Sequence, residues 1–106
     1  MTQKLQINNC IYDVYFVEQN HTGLQHGKAL GTCSSTNKEI FINKDIKNKQ
    51  DILRHEVTHA VIYEYLQVDF TWTEENVCEF VQRYYKIIED LVNQIIIKEI
   101  LKWKED

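Results

Sequence analysis

The spacing of hydrophobic and polar residues changes near residue 45, and this change divides the chain into a strand-like part and a helix-like part. Before it, hydrophobic positions alternate with polar ones, as in strands that bury one face. The pattern predicts four strands, over residues 4–7, 11–17, 28–33 and 39–43. The turn-prone pair Asn8-Asn9 joins the first two, so we expect a hairpin there.

Helical spacing begins at residue 48 and predicts a first helix over residues 48–67. Asn48 is the expected N-cap, with the Asp51 carboxylate three positions later, as in a capping box. The hydrophobic residues of this helix recur three and four positions apart and should form one buried face: Leu53, Val57, Ala60 and Val61.

A second helix is predicted to begin within residues 71–74, Thr-Trp-Thr-Glu, where a threonine and Glu74 fit a capping box. Its spacing also fits a coiled-coil seam, but three heptads in a small domain favour packing on the chain's own core. An unbroken helix to Trp103 would be about 45 Å long, so we expect a bend or a separate terminal helix near residues 92–94. The predicted stripe is Val77, Val81, Tyr84, Ile88, Leu91 and Ile95.

The fold expected from these elements is α+β, with a three- or four-stranded, mostly antiparallel sheet followed by two helices. The 106 residues fit one compact domain spanning 1–106. Near the C-terminus, residues 95–97 with Ile100 and Leu101 form a second apolar patch that must be buried somewhere. A homodimer through this C-terminal patch is one way to bury it.

Composition narrows the classes of partner. The formal net charge is −4 and the lysines are scattered, so no basic stripe predicts a nucleic-acid partner. The first residues are polar and no run of about 18 apolar residues occurs, so we expect no membrane association. The chain has three widely spaced cysteines, Cys10, Cys33 and Cys78, which argue against a disulfide framework and for a cytoplasmic location. We expect them to be small buried apolar residues.

Candidate chemistry lies in the first helix, where residues 55–59 read His-Glu-Val-Thr-His, the pattern H-E-x-x-H. Side chains four apart project from one helix face, so His55 and His59 can bind one ion. Glu56 lies about a quarter turn away, where it can accept a proton from a zinc-bound water. The motif predicts a Zn²⁺ site with a general base.

A catalytic zinc needs a third protein ligand, which the second helix or its approach should supply. Glu64 is excluded because it lies about 140° around the helix from His59. The remaining candidates are Asp69, Glu74, Glu75 and Glu79. The capping box would occupy Glu74, and the other two glutamates face one direction. We assign Glu75 to the metal and Glu79 to hold a histidine by a hydrogen bond, and an exchange of these roles remains open.

The segments Leu53-Arg54-His55-Glu56-Val57-Thr58-His59-Ala60 and Glu75-Asn76-Val77-Cys78-Glu79-Phe80-Val81 together resemble the gluzincin clan of zinc metallopeptidases. The minigluzincins and the ImmA/IrrE-like peptidases of phages and mobile elements look most similar. The resemblance covers residues 28–88 and implies a zincin-like fold with His55, His59 and Glu75 as ligands and Glu56 as base. The family pattern E-x-x-A-[DN] is altered here, because Cys78 replaces Ala and Glu79 replaces Asp or Asn.

The function expected from the motif is a zinc metalloendopeptidase that hydrolyses a peptide bond in a cytosolic protein. The alternative is a catalytically silent, protein-binding regulatory module that keeps the fold. A substrate peptide would add to an exposed strand edge, which we expect to be the strand over residues 39–43. The donor that stabilises the oxyanion stays open among five residues: Tyr84, Tyr85, Arg83, His21 and His26. His26 or Cys33 could instead hold the zinc in a latent state.

Overall fold

The computed structural model describes residues 2–66 and 71–105, with side chains described up to residue 99. A four-stranded mixed sheet is followed by two helices, so the predicted α+β class is confirmed. The strands are β1 (Thr2–Ile7), β2 (Cys10–Val17), β3 (Gly31–Ser34) and β4 (Glu39–Asn43), and the helices are α1 (Lys49–Tyr65) and α2 (Glu74–Glu105).

The strands lie in the order β1-β2-β4-β3. β1 and β2 form the expected antiparallel hairpin, with Ile7 opposite Cys10. β3 and β4 form a second antiparallel hairpin, in which Cys33 pairs with Ile40. The two hairpins meet through parallel pairing of β2 with β4, so two of the three pairings are antiparallel, as predicted. β3 therefore lies at one edge of the sheet, and β4 lies inside it.

Both helices share one hydrophobic core with the sheet. Alternate residues of three strands are completely buried on this face, in keeping with the period of two: Leu5, Ile7, Tyr12, Val14, Ile40 and Ile42. The predicted face of α1, Leu53, Val57, Ala60 and Val61, is also fully buried. On the opposite side of the sheet, Tyr15 stacks on Phe41 with ring centroids 4.8 Å apart.

The start of α1 is where the sequence predicts it, but the capping box is wrong. The Asn48 carbonyl accepts a hydrogen bond from the Asp51 N–H at 3.0 Å, whereas the Asn48 side chain makes no capping bond. Its backbone, at φ −96° and ψ 32°, is not in the extended conformation usual for an N-cap. The Asp51 carboxylate instead pairs with Arg54 at 3.0 Å.

The second predicted capping box also differs from the structure. Thr73 caps α2, because its hydroxyl accepts a hydrogen bond from the Asn76 N–H at 3.2 Å. The third helical position is therefore occupied by Asn76, and Glu74 is exposed at the first. Glu74 was set aside as a metal ligand because of this box, and that reason no longer holds.

α2 continues through residues 92–94 without a break, so the expected separate terminal helix is wrong. Val92 and Ile95 are both fully buried, which keeps this turn of the helix on the core. Gln3 of β1 also donates a hydrogen bond to Glu99 at 2.5 Å. These contacts hold the later turns of α2 beside the core and the sheet.

The hydrophobic stripe of α2 is half correct. Ile88, Leu91 and Ile95 are buried as predicted, and this supports core packing over a coiled-coil seam. Val77 and Val81 are 40% and 53% exposed, however. Phe80 is buried in their place, with its ring 5.3 Å from that of Tyr84.

The structure also tests the expected burial of the cysteines and of the C-terminal patch. Cys10 and Cys33 are half-buried, but Cys78 is exposed, so the buried interpretation is wrong for Cys78. Of the C-terminal patch, Ile95 belongs to the core and Ile97 is 56% exposed, whereas the side chains of Ile100 and Leu101 lie outside the described part. Among the described residues, no helix combines the length and apolar character that a membrane span requires.

Candidate metal centre

The two motif histidines face each other on the exposed side of α1. Their Nε2 atoms are 3.3 Å apart, and the ring centroids are separated by 4.9 Å at an interplanar angle of 74°. Both side chains are exposed, while the opposite face of α1 is buried in the core. The helical spacing of four residues therefore brings the two nitrogens to one point, as predicted.

The distance between these nitrogens can be compared with the distance between two ligands of one metal ion. Two nitrogens bound at about 2.05 Å to a tetrahedral zinc ion lie about 3.3 Å apart. An N–H···N hydrogen bond between the rings is the other arrangement that this distance permits, although it is longer than the usual range for N–H donors. The separation of the two nitrogens is therefore compatible with either arrangement, a shared zinc ion or a hydrogen bond between the rings.

Glu56 lies next to the pair and is only 7% exposed. Burial raises the pKa of its carboxyl group, and the neighbouring His55 and His59 partly oppose this shift. Within the described part of the chain, no residue donates a hydrogen bond to the Glu56 carboxylate. A buried carboxyl group with a raised pKa and free oxygens is suited to accept and release protons.

Gly31 of β3 makes the close approach to Glu56 possible. A methyl group at Gly31 would lie 2.5 Å from Cγ2 of Ile52 and 3.1 Å from Cγ of Glu56. A larger residue at this position would force the Ile52 and Glu56 side chains, or β3 itself, to shift. The glycine therefore brings the edge strand against the helix and removes Glu56 from water on that side.

A cleft of about 510 Å³ opens between β3 and α1, in front of the histidines. His55, Glu56 and His59 line its α1 side, together with Ile62 and Tyr63. The opposite wall comes from β3 and the segments that flank it: Gln25, Ala29, Gly31, Thr32, Cys33 and Ser35. The cleft is thus bounded by the free edge of the sheet.

This cleft corrects the predicted position of the exposed edge. β4 pairs with β2 on one side and β3 on the other, so residues 39–43 have no free edge. The sequence pattern of β4 was the strongest in the chain because that strand is interior, with Ile40 and Ile42 fully buried. β3, with the weaker pattern, is the strand beside the cleft.

A second groove, of about 400 Å³, flanks the histidines on the other side of α1. Arg54 borders it and forms a two-point ion pair with Glu89 of α2, Nε–Oε1 at 2.7 Å and Nη2–Oε2 at 3.2 Å. This pair ties α2 to the side of α1 next to His55. The histidines are therefore accessible from the β3 side and from the side nearer α2.

The predicted third ligand is not gathered with the histidines. Among the described residues, no three His, Cys, Asp or Glu side chains are grouped closely enough to hold a metal. Glu75 and Glu79 are exposed on the first turns of α2, and Asp69 lies outside the described residues. The structure brings His55 and His59 together, while the zinc ligation by these residues and the assignments of Glu75 and Glu79 stay predictions.

The helical geometry of α2 bears on the choice between these two glutamates. Glu89 faces α1, since it contacts Arg54. Glu75 precedes Glu89 by fourteen residues and lies within about 40° of it around the axis, whereas Glu79 is about 80° away. Glu75 therefore lies closer to the face of α2 that approaches α1, but it is also about 21 Å along the axis from Glu89, so its direction alone does not bring it to the histidines.

The remaining candidates have other surroundings. None of the five oxyanion candidates, which include His26, is among the described residues that line the cleft. Cys33 does line it, but burial, together with the nearby Glu56 and Glu64, raises the pKa of its thiol to about 11. A thiol with this pKa is protonated at neutral pH while no metal is bound, and the latent-ligand role of Cys33 stays a prediction.

Two features of the cleft were missed at the level of sequence. Tyr63 lines it and follows His59 by four positions, a spacing that would have revealed it. Gln25 lines it with a left-handed backbone, φ 56°, followed by His26 at 56° and Gly27 at 91°. Only Gly27 in this run has a residue type that marks such a conformation.

Comparison of the chain with family models, with curated proteins and with solved structures finds no match in any of the three.

Proposed function

We propose that the protein is a zinc metallopeptidase in which His55, His59 and Glu75 bind one Zn²⁺ and Glu56 is the general base. The observation that carries this proposal is the 3.3 Å separation of the two imidazole Nε2 atoms, beside a buried carboxylate and at the mouth of a cleft. A purely structural role for two surface histidines would not require the short distance between them, the buried carboxylate and the cleft at the same place.

The chemistry divides between the metal and the chain. A zinc ion bound here would polarise a peptide carbonyl and make water more acidic. The Glu56 carboxylate accepts the proton of the attacking water and delivers it to the leaving amine. Its burial favours this exchange, because a raised pKa brings the carboxyl group closer to neutral pH. Gly31 and Ile52 shield the carboxylate from bulk water on the β3 side.

The free edge of β3 is the proposed binding surface for the substrate backbone. A peptide that adds to Gly31–Ser34 as a further strand gains main-chain hydrogen bonds that do not depend on its sequence. The β3 backbone packs against Glu56 at Gly31, so an added strand would pass in front of the histidines. This arrangement would present a backbone carbonyl to the metal.

The central experiment compares wild type with Glu56→Gln. We expect purified wild type to bind one equivalent of Zn²⁺ and to cleave a mixed peptide library. The amide of Glu56→Gln cannot accept the proton, so cleavage should fall by about 10²- to 10⁴-fold while zinc binding is retained. Glu18→Gln, a charge change at a side chain that is 70% exposed, should leave cleavage unchanged.

Two results would contradict the proposal. Zinc binding no tighter in wild type than in a His55→Ala, His59→Ala double variant would remove the metal centre. Equal peptide cleavage by wild type and Glu56→Gln would remove the base. Stoichiometric zinc in both proteins with no cleavage by either would support the alternative, a protein-binding module that keeps the zinc site without catalysis.

The third ligand can be identified by metal affinity. We expect Glu75→Gln to weaken Zn²⁺ binding at least tenfold, and Glu79→Gln to weaken it less, because Glu79 would only orient a histidine. Glu74→Gln and Asp69→Asn complete the set of candidates. A loss confined to Asp69→Asn or Glu74→Gln would move the ligand to that residue.

We also propose a cellular compartment and an oligomeric state for the protein. The three thiols are free, which supports a reducing compartment such as the cytoplasm. We also propose that the C-terminal patch supports a homodimer, because Ile97 leaves 56% of its surface exposed. Light scattering should then give twice the monomer mass for wild type, and Ile97→Lys should reduce it to the monomer value.

A further inference from the structure

Tyr63 is a large exposed side chain at the mouth of the cleft. It lies one helical turn after His59, on the same side of α1, and lines the cleft beside Ile62. The residue is 63% exposed, so packing in the core does not explain a tyrosine there. Cys33 and Ser35 form the cleft wall on the β3 side.

The exposed ring of Tyr63 is in contact with a cation that is itself paired. The Lys38 ammonium lies 5.5 Å from its centroid and 5.4 Å from that of Tyr12, so one cation contacts both rings. Lys38 is fixed in turn by an ion pair with Glu64 at 2.5 Å, and the Tyr12 hydroxyl donates to the same carboxylate at 2.6 Å. A surface ring fixed in this way costs little entropy when a ligand packs on it.

The lack of net charge around Tyr63 indicates which kind of side chain could bind there. Ile62, Tyr63, Cys33 and Ser35 carry no charge, since the Cys33 thiol is protonated at neutral pH. Lys38 is close by, but Glu64 neutralises it at hydrogen-bond distance. The surroundings therefore favour a large uncharged side chain and offer little to an acidic one.

The distance between Tyr63 and the histidines determines which residue of a bound peptide would contact the Tyr63 ring. Tyr63 is about 6 Å along the helix axis from His59. An extended peptide advances about 3.3 Å per residue, so this corresponds to about two residues. β3 lies alongside this part of α1, with Gly31 against Glu56 and Ser35 in the same cleft as Tyr63. A strand added to β3 would thus place a side chain against the tyrosine ring within two residues of the scissile bond.

We propose that Tyr63 is the specificity-determining residue of the cleft, and that it selects peptides with a large aromatic or aliphatic side chain within two residues of the cleaved bond. This inference rests on the proposed peptidase function for its substrate class. Lys38 acts through Tyr63, as a positioning residue that keeps the ring in the orientation that receives the side chain.

Binding tests this inference separately from catalysis. The probes are five fluorescent decapeptide pools that fix one central residue as Phe, Leu, Ala, Asp or Lys, titrated with zinc-supplemented Glu56→Gln protein. We expect the Phe and Leu pools to bind at least tenfold more tightly than the Ala, Asp and Lys pools. Adding Tyr63→Ala should remove this preference, and adding Tyr63→Phe should preserve it, because the ring is retained.

Tyr85 is the matched control. It is 60% exposed on α2 and is not among the described residues that line the cleft. Tyr85→Ala, added to Glu56→Gln, should therefore keep the preference for the Phe and Leu pools. Lys38→Gln should weaken binding of these two pools about threefold without a matching change for the Ala pool. Circular dichroism at 222 nm should show the same helix content in all variants.

Several outcomes would overturn the inference. These are equal binding of all five pools, a Phe and Leu preference that survives Tyr63→Ala, a preference for the Asp pool, or an equal loss in Tyr85→Ala. Failure of the proposed function is distinguishable, because it would show as no cleavage by wild type while the Glu56→Gln protein still binds the Phe and Leu pools. Cleavage without selective binding would leave the peptidase proposal intact and remove the role of Tyr63.

Discussion

Glu56 and Glu64 are two carboxylates of one helix, eight residues apart, and their surroundings give them opposite properties. Glu56 is 7% exposed, and the Glu64 side chain is 11% exposed. Glu64 accepts hydrogen bonds from Lys38 at 2.5 Å and Tyr12 at 2.6 Å, and from the Cys10 thiol at 3.3 Å. Glu56 accepts none from the described residues.

The difference in donors determines the direction of each pKa shift. Burial alone would raise the pKa of Glu64, but the donated hydrogen bonds and the Lys38 charge outweigh it and lower the pKa. Burial raises the pKa of Glu56 with only partial opposition from the two histidines. A carboxylate surrounded by donors stabilises the fold, whereas a buried one without donors is available for proton transfer.

Removing the charge of Glu64 should have the largest effect on stability. Glu64→Gln loses the ion pair with Lys38 and leaves that ammonium partly buried without its counter-charge. We expect the free energy of unfolding to fall by about 2 kcal/mol, less than for a fully buried pair, because about a third of the Lys38 side chain is exposed to water. Urea denaturation at pH 7 measures it, and Glu79→Gln, at an exposed position of α2, should change stability by less than about 0.5 kcal/mol. A loss below about 1 kcal/mol would contradict a structural role for Glu64.

Adding a methyl group beside Glu56 should have the next largest effect. Gly31→Ala places a carbon 2.5 Å from Ile52 Cγ2, so the Ile52 side chain or β3 must move. We expect a destabilisation of about 1.5 kcal/mol, together with reduced peptide cleavage, since this movement disturbs the packing around Glu56. Ser35→Ala, in the same cleft wall, should cost less than about 0.5 kcal/mol. A fully stable Gly31→Ala protein would show that the contact is not required.

Acid should reduce the difference between wild type and Glu64→Gln. The pKa of Glu64 is lower in the folded chain than in the unfolded chain, so its contribution is present above the unfolded value of about 4.3. The contribution is lost as the pH falls through the folded pKa. We expect the stability difference to narrow by about 1.4 kcal/mol per unit of pKa shift. Urea titrations between about pH 7 and pH 3 test this, and a difference that widens in acid would reverse the sign.

Glu56→Gln should have the smallest effect on stability, and in the opposite direction. The substitution removes a buried charge that no described donor stabilises, so the metal-free protein should gain about 1 kcal/mol. Thermal unfolding in the presence of a chelator at pH 8 measures the change. A destabilisation comparable to that of Glu64→Gln would show that the Glu56 carboxylate stabilises the fold as Glu64 does.

The elements that the sequence predicts well are those whose pattern is local. The strand over residues 39–43 and the buried face of α1 were predicted from spacing, and both are observed as predicted. The capping box of α1 failed because the Asn48 backbone does not adopt the extended conformation that a cap needs. The box of α2 failed because Thr73 is the cap, which places Asn76 rather than Glu74 at the third helical position. On α2, Phe80 competes with Val81 for the core, and spacing alone could not decide between them.

The sequence by itself determined that His55 and His59 share one face of a helix with Glu56 a quarter turn away, because helical geometry requires it. It also determined the α+β class, through the change of period near residue 45. Only the tertiary structure decided that β3 is the edge strand, that Gly31 brings it against Glu56, and that Lys38 pairs with Glu64 and contacts Tyr63. These contacts join residues distant in sequence, and a local pattern carries no record of which distant side chains meet.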